Sequence, residues 1–320
     1  HANSYSGNNP ELQQIAAKNS INVGAYNEGD KESKFKAVVF DASGIQSSEQ
    51  LHALYAFFNP IARQIQRSGR VIVVGIDPDA ATTVQQAIAQ RALEGFVKSV
   101  GKELKKGITA QLLYVQPGAE ANIESSLRFL LSPRSAYVSG QVLRVSKAEV
   151  LDIDWVKPLA GKTAVVTGAS RGIGEAIAHV LARDGAHVIC LDVPQQQADL
   201  DRVAGEISGS TLAIDITAAD AGEKIKTAAA ALGGVDIIVH NAGITRDKTL
   251  ANMKPELWDL VININLAAIE RVNHYLLGNT GLNANGRIVC VSSISGIAGN
   301  LGQTNYATSK AGVIGLVNAT

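Results

Sequence analysis

The sequence predicts an α/β protein in which a doubly wound parallel-sheet domain follows a second, flavodoxin-like or degenerate domain of the same class. Short apolar runs alternate with helical patterns, which is typical of parallel sheets covered by helices on both faces. The alternation restarts after a stretch with acidic residues, Trp155 and Pro158. Because 320 residues suit two domains, we expect a first domain at 1–146, a linker at 147–160 and a second domain at 161–320.

The first domain opens with polar residues and continues as a series of strands and helices. Runs rich in Val and Ile predict the strands, and apolar residues at helical spacing predict the helices. The predicted strands are 37–40, 71–74, 108–115 and 141–145, and the predicted helices are 48–68, 82–105 and 120–131.

The second domain repeats this alternation. Its predicted strands are 163–167, 187–192, 211–214, 235–240 and 286–292, and its predicted helices are 174–184, 221–232, 255–277 and one that opens near Thr304. The series predicts a doubly wound (Rossmann) sheet with right-handed crossovers.

The composition argues against several classes of partner. Lys plus Arg and Asp plus Glu both total 29, so no net charge attracts the protein to nucleic acid or to an anionic membrane. No apolar run is long enough to cross a bilayer, and the first residues lack a signal-peptide pattern. We therefore expect a cytoplasmic protein. Cys190 and Cys290 lie in apolar runs, so we expect free core thiols rather than a disulfide or metal pair.

A glycine-rich loop joins the first strand of the second domain to its first helix, in a G-x-x-x-G-x-G pattern that begins at Gly168. The pyrophosphate of a dinucleotide requires close backbone approach and N–H donors at a helix N-terminus, and glycines allow both. Tight turns also use such glycines, but the strand–loop–helix context favours the phosphate site. The predicted contacts are Gly168, Ser170, Arg171, Gly172, Ile173 and Gly174.

Two charged residues bear on the choice between NAD(H) and NADP(H). Asp192 ends the second strand, about 20 residues after the glycines, where a carboxylate accepts the adenosine-ribose hydroxyls and repels the extra phosphate of NADP. Arg171 acts in the opposite direction, because its guanidinium could bind that phosphate. We give Asp192 more weight and expect NAD(H). The alternatives are a solvated strand end for Asp192 and an exposed loop charge for Arg171.

Two further strand ends carry candidate cofactor contacts. Asp215 follows the third strand, where it could accept a hydrogen bond from the adenine amino group or simply form a turn. Asn241, Ala242 and Gly243 follow the fourth strand, where small residues let the backbone line the cofactor. Asn241 could also fasten neighbouring strand ends, and the two roles are compatible.

Four polar residues have the chemistry of carbonyl reduction. Tyr306 and Lys310 stand at i and i+4 on one helix face. Ser293 ends the strand before that helix, and Asn265 lies in the preceding helix. Hydride transfer to a ketone leaves negative charge on its oxygen, which needs a proton and a polarising hydrogen bond. A neighbouring ammonium and an oxidised nicotinamide ring both favour a phenolate, so Tyr306 is a candidate acid/base.

These motifs resemble, in the same order, those of the short-chain dehydrogenases/reductases: the glycine motif, Asn-Ala-Gly from Asn241, Ser293 and Tyr-x-x-x-Lys from Tyr306. The resemblance implies that Tyr306 is the general acid/base. It implies that Lys310 favours the phenolate and binds the nicotinamide ribose. It also implies that Ser293 orients and polarises the carbonyl and that Asn265 holds a water in the proton relay.

Two longer stretches, residues 241–247 with Met253 and residues 299–306, are similar to bacterial 3-oxoacyl-(acyl-carrier-protein) reductases and acetoacetyl-CoA reductases. The preceding domain resembles the high-molecular-weight, two-domain subgroup, whose members use NADH. The resemblance implies a β-ketoacyl thioester substrate on acyl carrier protein or coenzyme A, a homo-oligomer (dimer or tetramer) and a setting in fatty-acid synthesis. At His240 relatives usually have Asn, and we expect a local packing variation there rather than a metal ligand.

Other functions stay open. The same chemistry could act on a steroid, a sugar or a small alcohol, and a scaffold could bind NAD without turnover. The presence of all four reacting residues disfavours the scaffold. By comparison with the family we also expect the chain to be incomplete at both ends, because it stops at Thr320 inside the helix of Tyr306 and Lys310.

The first domain resembles the second in sequence. The segment after Gln90, Arg-Ala-Leu-Glu-Gly-Phe, aligns with Ala-Gly-Val-Ile-Gly-Leu after Lys310, which also places Gln86 opposite Tyr306. Glutamine supplies neither a titratable phenol nor an ammonium. We therefore expect a non-catalytic relative that serves assembly or substrate docking. The alternative is that all α/β domains share such patterns. A second parallel joins residues 40–45 and 240–244.

Overall fold

A computed structural model describes residues 2–5, 14, 32–149 and 153–320. The chain forms two compact units, His1–Asp152 and Ile153–Thr320. Each unit contains a five-stranded sheet in which neighbouring strands are parallel. The predicted α/β class with parallel sheets is confirmed. Most of the predicted polar opening, and residues 150–152 of the predicted linker, lie outside the described residues.

The strands of the first unit follow one another across the sheet in chain order. They are β1 (Ala2–Tyr5), β2 (Phe35–Asp41), β3 (Ile65–Gly75), β4 (Thr109–Val115) and β5 (Gln141–Val145). The connecting helices are α1 (His52–Ile61), α2 (Val84–Glu103) and α3 (Glu124–Leu131). The order of the described strands shows no reversal, so the flavodoxin-like description of this unit is not confirmed.

Apolar side chains cover both faces of the first sheet. On one face α1 and α2 pack over Phe40, whose ring centroid lies 5.1 Å from that of Phe57. On the other face α3 buries Leu130 against Ile72 and Leu113. Full burial of one such side chain stabilises the fold by about 1.5–3 kcal/mol. Burial on both faces explains why β4 is an uninterrupted buried strand.

The second unit has the strand order β10-β9-β6-β7-β8. Its strands are β6 (Thr163–Thr167), β7 (His187–Asp192), β8 (Ser210–Ala213), β9 (Val235–His240) and β10 (Leu282–Cys290). The chain runs from β6 to β8 on one side and returns to place β9 and β10 on the other side of β6. This reversal is the doubly wound arrangement that the sequence predicts, and such sheets bind ligands beside it, at the carboxyl ends of the strands.

The helices of the second unit cover both faces of its sheet. They are α4 (Gly172–Arg183), α5 (Gln197–Glu206), α6 (Ala221–Ala230), α7 (Pro255–Ile262), α8 (Ala268–Gly278), α9 (Ser295–Ala298) and α10 (Thr304–Ala319). Ile225 and Leu276 pack on one face with Val165, and Leu200 packs on the other with Val166. In the described parts of the chain, no helix is long and apolar enough to span a membrane.

The predicted helix 48–68 is wrong at its C-terminal end. Helix α1 ends at Ile61, and the residues from Ile65 onward belong to β3. Apolar residues at this spacing fit a helix, but Ile65 pairs with Phe35 of β2, and that pairing decides the conformation. The spacing of apolar residues within one segment does not reveal that the segment pairs with a strand 30 residues earlier in the chain.

Three further differences concern the second unit. A π-helical turn, Asn263–Ala267, interrupts the predicted helix 255–277. Helix α5 was not predicted, because its buried stripe is short and its other residues are polar. Both cysteines are free thiols, as predicted, but Cys290 is only half-buried because β10 is an edge strand among those described. Burial raises the pKa of Cys190 to about 11.

Candidate dinucleotide crevice and reacting groups

A crevice of about 460 Å³ opens at the carboxyl ends of β6, β7 and β9, beside the reversal of strand order. Most of the predicted cofactor residues line it: Gly168, Ser170, Arg171, Ile173, Asp192, Asp215, Asn241, Ala242 and Gly243. Four others do not line it: Gly172, Gly174, Tyr306 and Lys310. The crevice therefore joins residues that are far apart in the sequence but follow neighbouring strands.

Two glycines of the loop, Gly168 and Gly174, lie so close to neighbouring backbone that a side chain at either position would collide with it. Gly168 has φ of +69°, and a Cβ on it would lie 3.0 Å from the Cα of Ala242. A Cβ on Gly174 would overlap the carbonyl oxygen of Gly168. The loop leads directly into the N-terminus of α4 at Gly172, where free N–H groups and the helix dipole attract anions. The tight turn therefore leads straight to a helix N-terminus that could hold a phosphate.

Asp192 is held against the glycine loop. Its Oδ2 accepts hydrogen bonds from the backbone N–H of Ser170 at 3.2 Å and from the Ser170 hydroxyl at 2.6 Å. Its Oδ1 accepts one from the N–H of Val193 at 2.8 Å. The carboxylate is half-buried and lines the crevice, whereas Arg171 is exposed at the same crevice. Three hydrogen bonds thus fix the orientation of the Asp192 carboxylate at the crevice.

Asp215 forms the turn that the sequence offered as one alternative. Its Oδ1 accepts hydrogen bonds from the backbone N–H of Thr217 at 2.8 Å and from the Thr217 hydroxyl at 2.7 Å. Its side chain also lines the crevice. Sequence reasoning missed the residues that complete this lining: Leu191, Val193, Gln196, Ile214, Ile216, Ile244 and Ile264. Several of them flank Asp192 or Asp215, so the position of each strand end was the available signal.

Asn241 fastens two strand ends, as the sequence suggested. Its side-chain amide donates to the carbonyl oxygens of Thr167 at 3.1 Å and Gly168 at 3.2 Å. The Thr167 hydroxyl in turn accepts hydrogen bonds from the N–H groups of Asn241 and Ala242, both at 3.0 Å. These bonds join the end of β6 to the Asn-Ala-Gly segment, which keeps the backbone of that segment at the crevice.

Lys310 is a buried cation beside Tyr306. Only 4% of the lysine is exposed, and its Nζ lies 5.8 Å from the centroid of the Tyr306 ring. The Nζ donates to the carbonyl oxygen of Val291 at 2.7 Å. Burial lowers the pKa of Lys310, and the nearby Cys290 opposes this shift. No salt bridge joins Lys310 to a carboxylate among the described residues.

The segment after β10 is attached to the helix of Tyr306. The Ser292 hydroxyl donates to the carbonyl oxygen of Lys310 at 2.7 Å. The Ser293 hydroxyl oxygen accepts a hydrogen bond from the backbone N–H of Ser295 at 3.2 Å. Because a serine oxygen can accept and donate at once, this bond leaves the hydroxyl hydrogen of Ser293 available to another acceptor.

Asn265 lies in the π-helical turn and is fully buried. Its Oδ1 accepts from the N–H of Ile244 at 2.8 Å, and its Nδ2 donates to the carbonyl oxygen of Ile244 at 2.9 Å and to the hydroxyl of Ser309 at 3.2 Å. Both amide hydrogens are therefore used by protein groups. The side chain holds the segment after Gly243 in place, so the predicted relay water has only an Oδ1 lone pair left to it on this side chain.

His240 is buried and has a hydrogen-bond partner within the protein. It is 2% exposed, and its Nε2 lies 2.8 Å from the Oδ1 of Asn273. Burial lowers its pKa to about 4, so the ring is neutral at pH 7. A neutral ring that donates to an amide oxygen needs no charged partner.

One group of side chains in the described residues has metal-ligand spacing: Glu175, His179 and Glu206. Arg202 already forms ion pairs with both carboxylates, at 2.9 Å to Glu175 and 3.0 Å to Glu206. Because one guanidinium nitrogen of Arg202 already pairs with both carboxylates, we interpret the group as a surface ion-pair network between α4 and α5.

Helix α2 of the first unit carries Gln86 and Gln90, the two residues that the sequence aligns with Tyr306 and Lys310. Gln90 is fully buried, and its Nε2 donates to the carbonyl oxygens of Ala42 at 2.8 Å and Ile45 at 2.9 Å. Its Oε1 accepts from the N–H of Ile76 at 2.9 Å. Gln86 caps the start of α2 by accepting from the N–H of Thr82 at 2.8 Å. Both glutamines thus have defined structural partners.

Comparison with known proteins yields a family match for the second unit. The profile described as short chain dehydrogenase matches residues 162–320. This range contains the crevice, the glycine loop and the four candidate reacting residues described above.

The second unit is also similar in sequence to individual proteins that are named 3-oxoacyl-(acyl-carrier-protein) reductase. The chain is 45% identical over 163 residues to the 3-oxoacyl-(acyl-carrier-protein) reductase FabG of Vibrio harveyi, covering 50% of this chain and 66% of the relative. It is 43% identical over 164 residues to the enzyme of that name from Thermotoga maritima, covering 49% and 66%. For the Escherichia coli (strain K12) enzyme the values are 42% over 156 residues, covering 48% and 64%. The chain thus spans less than two thirds of the length of these relatives.

Proposed function

Because residues 162–320 belong to the short chain dehydrogenase family, we propose that this chain provides the dinucleotide site and the proton donor of a β-ketoacyl thioester reductase that uses NAD(H). The observation that carries the proposal is a glycine-lined crevice combined with a buried cation, Lys310, beside Tyr306. The name of the relatives supplies the substrate class. Because the chain spans less than two thirds of those relatives, the activity, substrate and partners of the whole protein belong to the proposal.

The residues of the crevice fit a dinucleotide. Gly168 and Gly174 allow the close packing of the turn, and Gly172 begins α4 with open space at its Cβ position, so we assign a pyrophosphate to the N-terminus of α4. Ser170, Ile173 and the Asn241–Gly243 segment line the same space. Tyr306 and Lys310 lie outside this crevice, and we assign them to the nicotinamide end of the site.

We assign NAD(H) rather than NADP(H) to the crevice on account of Asp192. A carboxylate offers about four lone-pair positions, and three protein donors use this one, so a ribose hydroxyl can still donate to it. Its negative charge repels a ribose phosphate at the same place. The second oxygen of Asp215 is free to accept from the adenine amino group, with apolar neighbours such as Ile214 and Ile216 beside the ring.

In the proposed reaction Tyr306 donates its phenolic proton to the β-keto oxygen, and a bound nicotinamide supplies the hydride. Lys310 has three N–H donors, of which the carbonyl oxygen of Val291 takes one. The other two remain for the nicotinamide ribose and for the Tyr306 oxygen, and the ammonium charge favours the phenolate. Ser293 donates its free hydroxyl hydrogen to the substrate carbonyl, which stabilises the charge that develops there. Asn265 keeps the neighbouring loop in register.

The first unit has a supporting role in this proposal. With glutamines in place of Tyr306 and Lys310 it has no acid/base pair, so we assign it to assembly or substrate docking as a degenerate relative of the second unit, with residues 147–160 as the linker. Acyl carrier protein or coenzyme A carries the substrate, and a homo-oligomer in the cytoplasm is the expected state of the enzyme.

The test is the initial rate of NADH oxidation by the full-length protein with acetoacetyl-CoA, measured beside NADPH. We expect faster turnover with NADH, and a rate loss of about 10³ in Tyr306→Phe, in the range for a removed general acid. Tyr137→Phe is the matched control, because Tyr137 is fully exposed in the first unit. No turnover with either cofactor, despite tight NADH binding, would contradict the ketoacyl reductase and favour another carbonyl substrate or a scaffold.

A further inference from the structure

The two long stretches that narrowed the resemblance, residues 241–247 and 299–306, contact each other. Lys248, directly after the first stretch, forms an isolated parallel bridge with Gln303 in the second. The Nε2 of Gln303 also donates to the Oδ2 of Asp247 at 3.1 Å. These contacts join the loop after the Asn-Ala-Gly segment to the loop before Tyr306.

Asp247 determines which way the Gln303 amide faces. A carboxylate only accepts hydrogen bonds, so the NH₂ group of the amide must point to Asp247. The amide oxygen then faces the other way, where it accepts from the Ser295 hydroxyl at 3.1 Å and from the Nδ2 of Asn300 at 3.0 Å. An amide turned by 180° would lose the bonds to Asp247 and Asn300, since a carboxylate cannot donate and an NH₂ group cannot accept.

Ser295 transmits this orientation to Ser293. It is buried at the start of α9, and its backbone N–H is the donor that holds the Ser293 hydroxyl oxygen. The next residue, Gly296, lies against the helix of Lys310, where a Cβ would approach the Lys310 carbonyl carbon to 2.7 Å. The position of Ser293 therefore depends on where Gln303 holds Ser295.

The same two stretches also hold the start of the Tyr306 helix. Asn305 is fully buried, and its Oδ1 accepts from the backbone N–H of Tyr306 at 2.7 Å. Its Nδ2 donates to the carbonyl oxygens of Arg246 and Leu257, both at 3.2 Å. The N-terminal turn of α10 thus has its position fixed by the loop that carries Asp247.

We propose that Gln303, oriented by Asp247, is a positioning residue that acts through Ser295 to direct the Ser293 hydroxyl toward the substrate carbonyl. The proposal rests on the proposed function, since that function makes Ser293 the polarising group. Gln303 contacts neither cofactor nor substrate in this scheme. Its removal therefore lowers kcat through Ser293 and leaves NADH binding unchanged.

A double-mutant cycle separates this role from general loop stability. In full-length protein with acetoacetyl-CoA, Gln303→Ala lowers kcat by about 10-fold, the usual scale of coupling within one hydrogen-bond network. The dissociation constant for NADH stays the same. In a Ser293→Ala background the same change has no further effect. An equal loss in both backgrounds overturns the proposal, as does an unchanged kcat in the single variant.

A charge exchange tests the role of Asp247. Gln303→Glu places two carboxylates together and lowers kcat, whereas adding Asp247→Asn supplies an NH₂ donor to the new carboxylate and restores most of the rate. Failure of the second change to rescue the first overturns the assignment of Asp247. Thr308→Ala, an exposed position on α10, is the control that leaves the rate unchanged.

Amide hydrogen exchange of Ser295 decides the proposal without a substrate. Because the Ser295 N–H is bonded to Ser293, its exchange accelerates in Gln303→Ala, while exchange in the middle of α10 stays as in the wild type. Unchanged exchange at Ser295 overturns the positioning role. If the wild type fails to reduce acetoacetyl-CoA, the proposed function fails, and the exchange experiment still supports or overturns the inference about Gln303.

Discussion

The two units present the same helix positions at the carboxyl edge of a parallel sheet, with opposite chemistry. Gln86 and Gln90 are the third and seventh residues of α2, and Tyr306 and Lys310 are the third and seventh of α10. The side chain of Gln90 has partners for its NH₂ group and its oxygen, all in the backbone. Lys310 gives one N–H to Val291 and keeps two. At this helix position the first unit therefore pairs its side chain fully with backbone groups, whereas the second keeps two N–H donors of Lys310 available.

The side chains around Gln90 in the first unit also have partners within the protein. Near Gln90, Arg144 forms an ion pair with Asp77 at 2.6 Å and lies 5.7 Å from the ring centroid of Tyr114. The Tyr114 hydroxyl donates to the carbonyl oxygen of Gln90 at 2.7 Å, and burial raises its pKa. In the first unit, side chains that pair with one another thus pack around the helix position of Gln90. Internal satisfaction stabilises a fold, whereas a reacting site needs groups with bonding capacity to spare.

The largest expected effect comes from making the second unit resemble the first. Lys310→Gln removes the ammonium but keeps a polar side chain, so we expect kcat to fall by about 10³ with the fold retained. Steady-state kinetics and circular dichroism check this outcome. Lys102→Gln, an exposed position of the first unit, is the matched control. A rate within threefold of the wild type would break the comparison.

Asp192→Ala tests whether the Asp192 carboxylate, which has no counterpart in the comparison of the two helices, determines the preference for NADH over NADPH. Loss of the charge removes both the ribose acceptor and the repulsion of a ribose phosphate, so the NADH to NADPH ratio of kcat/KM falls by about 100-fold, equivalent to about one hydrogen bond to a charged group. Asp199→Ala removes an exposed charge on α5 and should leave the ratio unchanged. If the ratio stays constant in both variants, Asp192 does not determine the cofactor.

Gln90→Ala tests whether the first unit uses this position for stability alone. The change removes the partner of the Ile76 N–H and of the Ile45 carbonyl oxygen, while the Ala42 carbonyl oxygen keeps its bond from the Ile45 N–H. We expect the free energy of unfolding of this unit to fall by about 3 kcal/mol. Denaturant titration measures the loss, and Gln85→Ala on the exposed face of α2 is the control. Turnover should persist; its disappearance from a folded variant would contradict a non-catalytic first unit.

The smallest effect concerns pH and His240, whose aligned position in the first unit is Phe40. Burial lowers the pKa of His240 to about 4 in the folded state, against about 6.5 when unfolded. The unfolded chain therefore binds more protons between these values, and stability is complete above pH 6.5 and declines toward pH 4. At pH 5 the loss is about 2 kcal/mol. Unfolding titrations from pH 7.5 to 4.5 should show this component in the wild type and lose it in His240→Asn.

Sequence reasoning succeeded where the signal lies within one element or one turn. The glycine loop, the i, i+4 pair of Tyr306 and Lys310 and the polar residues at strand ends were all visible, because neighbours along the chain define them. It failed at the end of α1, where pairing with β2 overrode helical spacing. The relay water that the resemblance assigns to Asn265 stays a prediction, and the side-chain amide of Asn265 bonds to Ile244 and Ser309.

By itself the sequence determined the α/β class, most of the strands and helices in each half of the chain and the glycine turn between β6 and α4, since periodicity and turn chemistry are local properties. Only the tertiary structure decided the strand orders, the exposure of Cys290 and the contact between Gln303 and Asp247, which lie 56 residues apart. Such contacts depend on how whole elements pack, and the pattern of apolar residues within one element does not specify which distant side chain will face another.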